Sequence, residues 1–565
     1  MQIKAQLNQL IHDACAKAEI PVETVQVNEA GKPEFGDYQF NGAMPLAKKL
    51  GKNPRQIAQE IVEALPENPI LSKAEIAGPG FINLTLSPKW LAARLEEAAR
   101  DERLGVGRQS EPKRVVVDYS SPNMAKQMHV GHLRSTIIGD SLANLFAFLG
   151  DEVIRQNHIG DWGTQFGMLI AYLEELGEGA EGSLHDLEEF YKAAKKRFDE
   201  DAAFADKSRE YVVKLQGGDV KCLHLWENFI DKSLGHCEEV YSKLHVRLTR
   251  EDVKAESSYN DDLQKIVEDL QAKGLLKESR GAKVVFTDDE ENPLIIQKSD
   301  GGFLYATTDL AAIRFRVKEL GAKRISYVVD ARQAGHFKQV FAVARMAGYA
   351  PEDVRLEHVS FGMMLDKSGR PFKTRDGGTV KLIDLLDEAV ERAKGAITQR
   401  EAYDEEELEK IAEIVGIGAV KYSDLSINRE SNYIFDWDRM LSLEGNTSLY
   451  QQYAYARIRS IFRKYDGTIE GKVQLGDELE RRLALKLLQL EDVLRAAARE
   501  AMPHYITGYL YDLATLFMKF YENNPILRSD VPEELRQSRL QLAKSTADTL
   551  KLALEILGIK VLERL

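Results

Sequence analysis

Arg114-Val-Val-Val-Asp-Tyr-Ser-Ser-Pro-Asn-Met-Ala-Lys-Gln-Met-His-Val-Gly-His-Leu-Arg-Ser-Thr-Ile-Ile-Gly139 is the stretch on which the fold turns. Its first six residues are a β-branched run of the kind buried in a parallel sheet. A polar, glycine-bearing turn follows. Then Leu133, Ile137, Leu142, Leu145, Phe146 and Leu149 recur at helical spacing, and Gly150 is a natural stop. Glu152-Val-Ile-Arg-Gln-Asn-His158 reads as a second short strand. Strand, turn, helix, strand is a βαβ unit, which implies a parallel sheet with its ligand at the strand C-termini.

Working outward, further parallel-sheet strands are expected at Pro293–Gln297, Arg324–Val329 and Arg355–Val359, with a helix from Gly335 to Ala347. The charged segment from about 174 to 273 reads as a helical insertion. Residues from about 381 onward read as all-helical. Residues 1–108 form a small α+β unit. It opens on an amphipathic helix carrying Leu7, Ile11 and Ala14, and a later helix is capped by Asn53 with Pro54 at its first position. The expected segments are 1–108, 109–385, a helical connector 386–440 and a helical unit 441–565.

The chain has 565 residues, 76 Lys+Arg, 90 Asp+Glu, 3 cysteines and a formal net charge of −14. That length suggests about three or four domains. Disorder, collagen and a disulfide scaffold are excluded by composition. The acidic balance argues against a general nucleic-acid coat protein, though a local basic face can still bind phosphate. Three scattered cysteines fit a reducing compartment. The N-terminus lacks a leader's unbroken apolar stretch, and Ser141–Gly150, the longest uncharged run, is far short of the roughly 20 residues that span a bilayer. The expectation is a cytoplasmic protein. Cys222, His224, His236 and Cys237 lie close in sequence, but their apolar neighbours indicate helix packing rather than a metal site.

His129-Val-Gly-His132 sits where a nucleoside triphosphate would lie over the sheet edge. Gly131 lets a ligand approach the backbone, and two histidines at a helix start can donate to phosphates as charge shifts to a leaving pyrophosphate. After the last expected strand, Lys367, Arg370, Lys373 and Arg375 crowd a glycine-rich loop whose cations can stabilise transferring phosphate charge. In the C-terminal third, Tyr450–Lys464 mixes Tyr453, Arg457 and Arg459 with other bases and tyrosines and has no acid, a pattern that suits an exposed RNA loop as well as a helix core.

Longer strings carry a resemblance. They are Ser121–Gly139, Asn157-His-Ile-Gly-Asp-Trp-Gly-Thr-Gln-Phe-Gly167, Tyr305-Ala-Thr-Thr-Asp309, Phe361-Gly-Met-Met364, Gly416-Ile-Gly-Ala-Val-Lys-Tyr422 and Phe435-Asp-Trp437. Together they resemble the class I aminoacyl-tRNA synthetases, and among these the bacterial arginyl-tRNA synthetase family. The resemblance implies an α/β fold class: a Rossmann-type catalytic domain with a helical insertion, an α+β N-terminal domain contacting tRNA, and an all-α anticodon-binding domain. It implies a ligase that uses ATP with Mg2+, L-arginine and tRNA(Arg), as a monomer with no structural metal. His129, Gly131, His132, Gly362, Met363, Met364 and Lys373 match ATP-binding positions, with Lys373 and Arg370 standing for the usual loop lysines. Asp118, Ser121, Asn123, His132, Tyr305, Asp309 and Gln333 match arginine-binding positions, and a guanidinium calls for such carboxylates and an aromatic face. Phe81, Asn83, Tyr453, Arg457 and Arg459 match tRNA contacts. A small-molecule nucleotidyltransferase would leave both end domains unexplained, and a non-catalytic tRNA-binding relative would not need the intact histidines.

Overall fold

The computed structural model describes residues 2–177, 186–288, 292–372, 380–398 and 403–565. Four parallel strands form the central sheet, in the order Arg355–His358, Arg324–Tyr327, Arg114–Asp118, Glu152–Gln156. Val115, Val116 and Val117 are buried, as the β-branched run required. From the 114–118 strand the chain crosses to one neighbour, and its later return adds a strand on the other side. The connections therefore diverge between Asp118 and Tyr327, the position at which a parallel sheet opens a crevice at its strand C-termini.

One expected strand is elsewhere. Leu294–Gln297 pairs antiparallel in a separate three-stranded sheet with Lys277–Ser279 and Ala282–Val285. Its Leu294 and Ile296 are buried while Ile295 is 41% exposed, so the apolar run covers a one-sided sheet and not a two-sided core. A second departure lies in the expected all-helical part, where Tyr433–Ile434 pairs in parallel with Met364–Leu365.

The insertion comprises the helices Thr164–Leu176, Leu187–Glu200, Ala202–Gln216, Val220–Lys243 and Asn260–Ala272. Cys222 and Cys237 are buried on one of these, and burial pushes their thiols up to about 11 and about 12. Among the described residues no group of three or more His, Cys, Asp or Glu could hold a metal ion. The N-terminal unit is a four-stranded antiparallel sheet backed by helices, with Ile3, Leu7, Ile11, Ile57, Ile61 and Leu84 in its core. Asn53 caps the Pro54–Ala64 helix by accepting from the Arg55 N–H. The C-terminal bundle packs Ser448–Arg463, Glu478–Leu488, Leu490–Glu500, His504–Asn523 and Glu533–Ile556 together.

The Leu133–Leu149 helix is not the one-faced element that its apolar spacing suggests. Every residue from Leu133 to Phe146 is buried, because the helix lies between the sheet and the bundle and touches Leu490–Glu500 and Glu533–Ile556. Its polar residues survive burial by being paired. The Ser135 hydroxyl donates to the Val328 carbonyl at 2.7 Å, the Thr136 hydroxyl donates to Ser120 Oγ at 3.0 Å, and Asp140 accepts from Tyr119 Oη at 3.1 Å. A Cβ at Gly139 would lie 2.2 Å from that of Tyr119, so only glycine lets the helix cross the strand exit this closely.

Candidate active site

At the switch point a cavity of about 720 Å³ opens between the strand ends. One end is walled by the His129–His132 turn. The Gly131 N–H donates to His129 Nδ1 at 3.0 Å, and the His129 N–H donates to His132 Nδ1 at 3.1 Å. A backbone N–H can only donate, so both Nδ1 atoms are unprotonated acceptors and each neutral ring keeps its proton on Nε2. The ring centroids are 4.1 Å apart. Burial holds His129 below the usual imidazole range, and burial followed by the neighbouring His129 ring pushes His132 down to about 3. The dyad therefore presents two neutral Nε2–H donors at physiological pH.

The adjoining wall is Phe361–Met364, and its backbone is held from outside. The Gly362 N–H donates to the Arg429 carbonyl (2.9 Å), the Gly362 carbonyl accepts from Arg134 Nη1 (2.7 Å), and the Met363 N–H donates to Asn432 Oδ1 (2.6 Å). Arg134 and its partner Asp424 (3.1 Å) are essentially inaccessible. A Cβ at Gly362 would meet the Ser431 backbone at 2.6 Å.

The far end is rich in carboxyls. Tyr305 and Asp309 project from the first turns of the Tyr305–Lys318 helix, and Asp309 Oδ2 lies 2.5 Å from His336 Nε2. Gln333 enters from the turn after Arg324–Tyr327, and Glu256 from the turn within the insertion that precedes the Asn260–Ala272 helix. Burial first, then Asp161 and Asp309, push the Glu256 carboxyl up to about 8. Among the described residues that carboxyl has no hydrogen-bond or ion-pair partner. Between the two ends, Ser120 and Ser121 both take positive φ (68° and 47°), a strained strand exit. It is held by bonds from the Ser121 N–H to Asn157 Oδ1 (3.0 Å), from Ser121 Oγ to Asp118 Oδ1 (2.9 Å), and between Ser120 Oγ and Tyr241 Oη (2.8 Å).

Family profiles match almost the entire chain: "Arginyl tRNA synthetase N terminal domain" at residues 1–86, "tRNA synthetases class I (R), catalytic domain" at 95–437 and "DALR anticodon binding domain" at 451–565. A protein of Laribacter hongkongensis named arginine–tRNA ligase is 56% identical, with 99% of each chain covered. One of the same name from Chromobacterium violaceum is 53% identical over 100% of both. The chain belongs to the arginyl-tRNA synthetase family. Solved structures agree: arginyl-tRNA synthetase of Plasmodium falciparum superposes with a TM-score of 0.89 at 33% identity, and that of Thermus thermophilus with 0.85 at 28%, each over 100% of both chains.

In this synthetase the cavity gathers His129, Gly131, His132, Ser121, Asn123, Tyr305, Asp309, Gln333, Gly362, Met363 and Met364. Asp118, expected among the arginine-binding residues, is also in the wall. Its Oδ2 accepts from the fully buried Arg316 at 2.7 Å and its Oδ1 from Ser121, so its charge is already paired within the protein. The free carboxylate is Glu256, which sequence reasoning missed: nothing local in Lys-Ala-Glu-Ser-Ser-Tyr259 distinguishes it. Arg370 does not line the cavity; it is exposed in a turn closed by its own N–H on Asp366 Oδ1 (3.1 Å). Lys367 is turned away onto Asp436 (3.0 Å) and Asp438 (3.1 Å). Lys373 and Arg375 lie outside the described residues.

The remaining residues are remote. Phe81 is half-buried and Asn83 buried on the Phe81–Leu86 strand, where Asn83 accepts from Gln39 (2.7 Å). Tyr453, Arg457 and Arg459 share the Ser448–Arg463 helix. Arg457 donates to Tyr453 Oη (2.8 Å), and Arg459 pairs with Glu563 (2.6 Å). The basic tract without an acid of its own thus receives one from the end of the chain.

Proposed function

We propose the following division of labour for the arginine–tRNA ligase activity of this chain. L-arginine and ATP, accompanied by Mg2+ as part of the substrate, give arginyl-adenylate and pyrophosphate. The arginyl group then passes to the 3′-terminal adenosine of tRNA(Arg). In the first step a carboxylate oxygen of arginine attacks the α-phosphorus, and the bond to the β-phosphate breaks with its electron pair leaving on pyrophosphate. In the second a ribose hydroxyl attacks the activated carbonyl and AMP departs. No side-chain nucleophile is required; the protein supplies alignment and charge stabilisation.

His129 and His132 donate Nε2–H to the phosphates, and their neutrality lets them follow charge onto the leaving group without carrying a charge of their own. Gly362, Met363 and Met364 flank the nucleotide. Ser121, Asn123 and Gln333 hold the α-amino and carboxylate groups. Glu256 and Asp309, with Tyr305 at the mouth, receive the guanidinium, whose planar fork suits two carboxylates. Lys373 is the loop cation of choice. The observation that carries the arginine reading is the unpartnered Glu256 carboxyl beside Asp309 in the cavity that also holds the histidine pair. A site that pairs a buried charge rejects uncharged analogues strongly, so no editing domain is needed.

Residues 1–108 and 441–565 serve as the tRNA-contact and anticodon-binding domains, with Phe81, Asn83, Tyr453, Arg457 and Arg459 on the RNA. Residues 109–385 are the catalytic domain, and 386–440 connect it to the bundle while supporting its nucleotide wall through Asp424 and Arg429. The protein acts as a cytoplasmic monomer, and its buried free thiols suit a reducing compartment. Among the described residues no helix is long and apolar enough to cross a membrane. The test is pyrophosphate release from ATP with each amino acid in turn, with and without tRNA. Arginine alone should support turnover; turnover with another amino acid, or with none, overturns the reading.

A further inference from the structure

Asp161 is 2% exposed and does not line the cavity, yet it grips the segment that carries Glu256. Its Oδ1 accepts the Ser257 N–H at 2.9 Å and its Oδ2 the Ser257 hydroxyl at 2.5 Å. Backbone bonds run alongside, from the Glu256 N–H to the Ile159 carbonyl and from the Lys254 N–H to the Asn157 carbonyl, both 3.1 Å. The Asp161 carbonyl is itself fixed by Trp226 Nε1 at 2.8 Å. This stretch of the insertion, ahead of its Asn260–Ala272 helix, is thereby zipped onto the loop that follows the Glu152–Gln156 strand, and the side-chain latch is next in sequence to the one free carboxylate of the cavity among the described residues.

We propose that Asp161 is a positioning residue for arginine recognition: by holding Ser257 it aims the Glu256 carboxyl into the guanidinium end, and its own negative charge behind that carboxyl favours a cation there. This rests on the assignment of that end to arginine. The groups facing Glu256 are Asp161 from the loop, Asp309 and Tyr305 from the Tyr305–Lys318 helix, His158 beside Asp161, and His336 bonded to Asp309. Burial first, and then the two neighbouring carboxylates, keep Glu256 protonated up to about 8. A guanidinium reverses the balance, since the proton leaves for solvent and the carboxylate pairs with the cation. Arginine affinity therefore rises with pH toward that value and then levels.

Arginine is titrated calorimetrically into the full-length enzyme at pH 7 in buffers of different ionisation heat. About one proton should be released per arginine, as expected for a group still mostly protonated one pH unit below its midpoint. Glu256→Gln should abolish the release and raise the arginine KM. Asp161→Asn keeps an acceptor for Ser257 but removes the charge. It should raise the arginine KM about tenfold at pH 9, where Glu256 is ionised in both proteins, move the midpoint of the pH profile acidward, and leave the ATP KM unchanged. Should that variant fail to fold, Ser257→Ala is the substitute, raising the arginine KM several-fold with the midpoint unmoved. Parent-like arginine KM and midpoint in Asp161→Asn, equal loss toward ATP and arginine, or no proton release by the parent would each overturn the inference. An unchanged arginine KM in Glu256→Gln would instead remove the arginine assignment beneath it.

Discussion

At one end of the cavity two histidines, three positions apart, are kept neutral by burial, with backbone N–H groups of Gly131 and His129 donating to their Nδ1 atoms. At the other, Glu256, Asp309, Tyr305 and Gln333 arrive from three separate segments, and carboxyls are crowded together against their mutual repulsion. The first arrangement is complete before any ligand enters. The second is satisfied only by a cation. An anionic phosphate chain meets fixed neutral donors, whereas a guanidinium meets a charge deficit that it alone removes, and the different chemistries of the two substrates account for the difference.

Removing a carboxylate should do the most damage. Asp309→Ala leaves the guanidinium with an incomplete partner set, a cost of about 3–5 kcal/mol, or roughly a thousandfold in kcat/KM for arginine, with tRNA affinity unchanged. Parent-like arginine kinetics in that variant would sink the pocket assignment. His132→Ala strikes the other end. Loss of one preorganised donor should lower kcat for adenylate formation by about 10²–10³, with little change in arginine KM. A pH series then compares the ends directly. His132, held near 3, does not titrate between pH 6 and 9, so the ATP KM should be flat there. Glu256 must lose its proton to pair, so the arginine KM should fall about tenfold per unit as pH rises toward its midpoint near 8. Parallel profiles for the two substrates would erase the distinction. The smallest effect is expected far away. Arg459→Ala breaks an exposed pair with Glu563, contributing under about 1 kcal/mol to stability. It should weaken tRNA binding modestly, reduce its salt slope by about one, and alter neither KM.

The same contrast explains what could be read without a structure. The histidine end is encoded within Arg114–Gly139, where strand, turn and helix are contiguous and the deciding hydrogen bonds join near neighbours. Glu256 has no such local signature: it is one glutamate within a charged insertion, aimed by contacts with residues 157–161 that only the tertiary fold supplies. Asp118 shows the converse. Its place at a strand C-terminus is visible in sequence, but the arginine that neutralises it lies 198 residues away. The strand expected at Pro293–Gln297 falls outside the central sheet because a short apolar run does not disclose whether one or both faces are covered. The Leu133–Leu149 helix looked one-faced because its buried serines, threonine, asparagine and aspartate read as solvent-facing until their partners are seen.

That helix also decides how the molecule comes apart. A single hydrophobic cluster runs from Val115 and Val117 through it into Leu494, Leu550 and Leu554 of the bundle, whereas the N-terminal unit has a cluster of its own, joined from the bundle by Leu485 and Leu488. The sheet face carrying Val115 and Val117 and the bundle therefore share one core across this helix, while Val116, Ile325 and Tyr327 on the other sheet face belong to a separate cluster. Damage to the bundle interior would then be felt at His129 and His132, whose supporting helix is the core that both domains share.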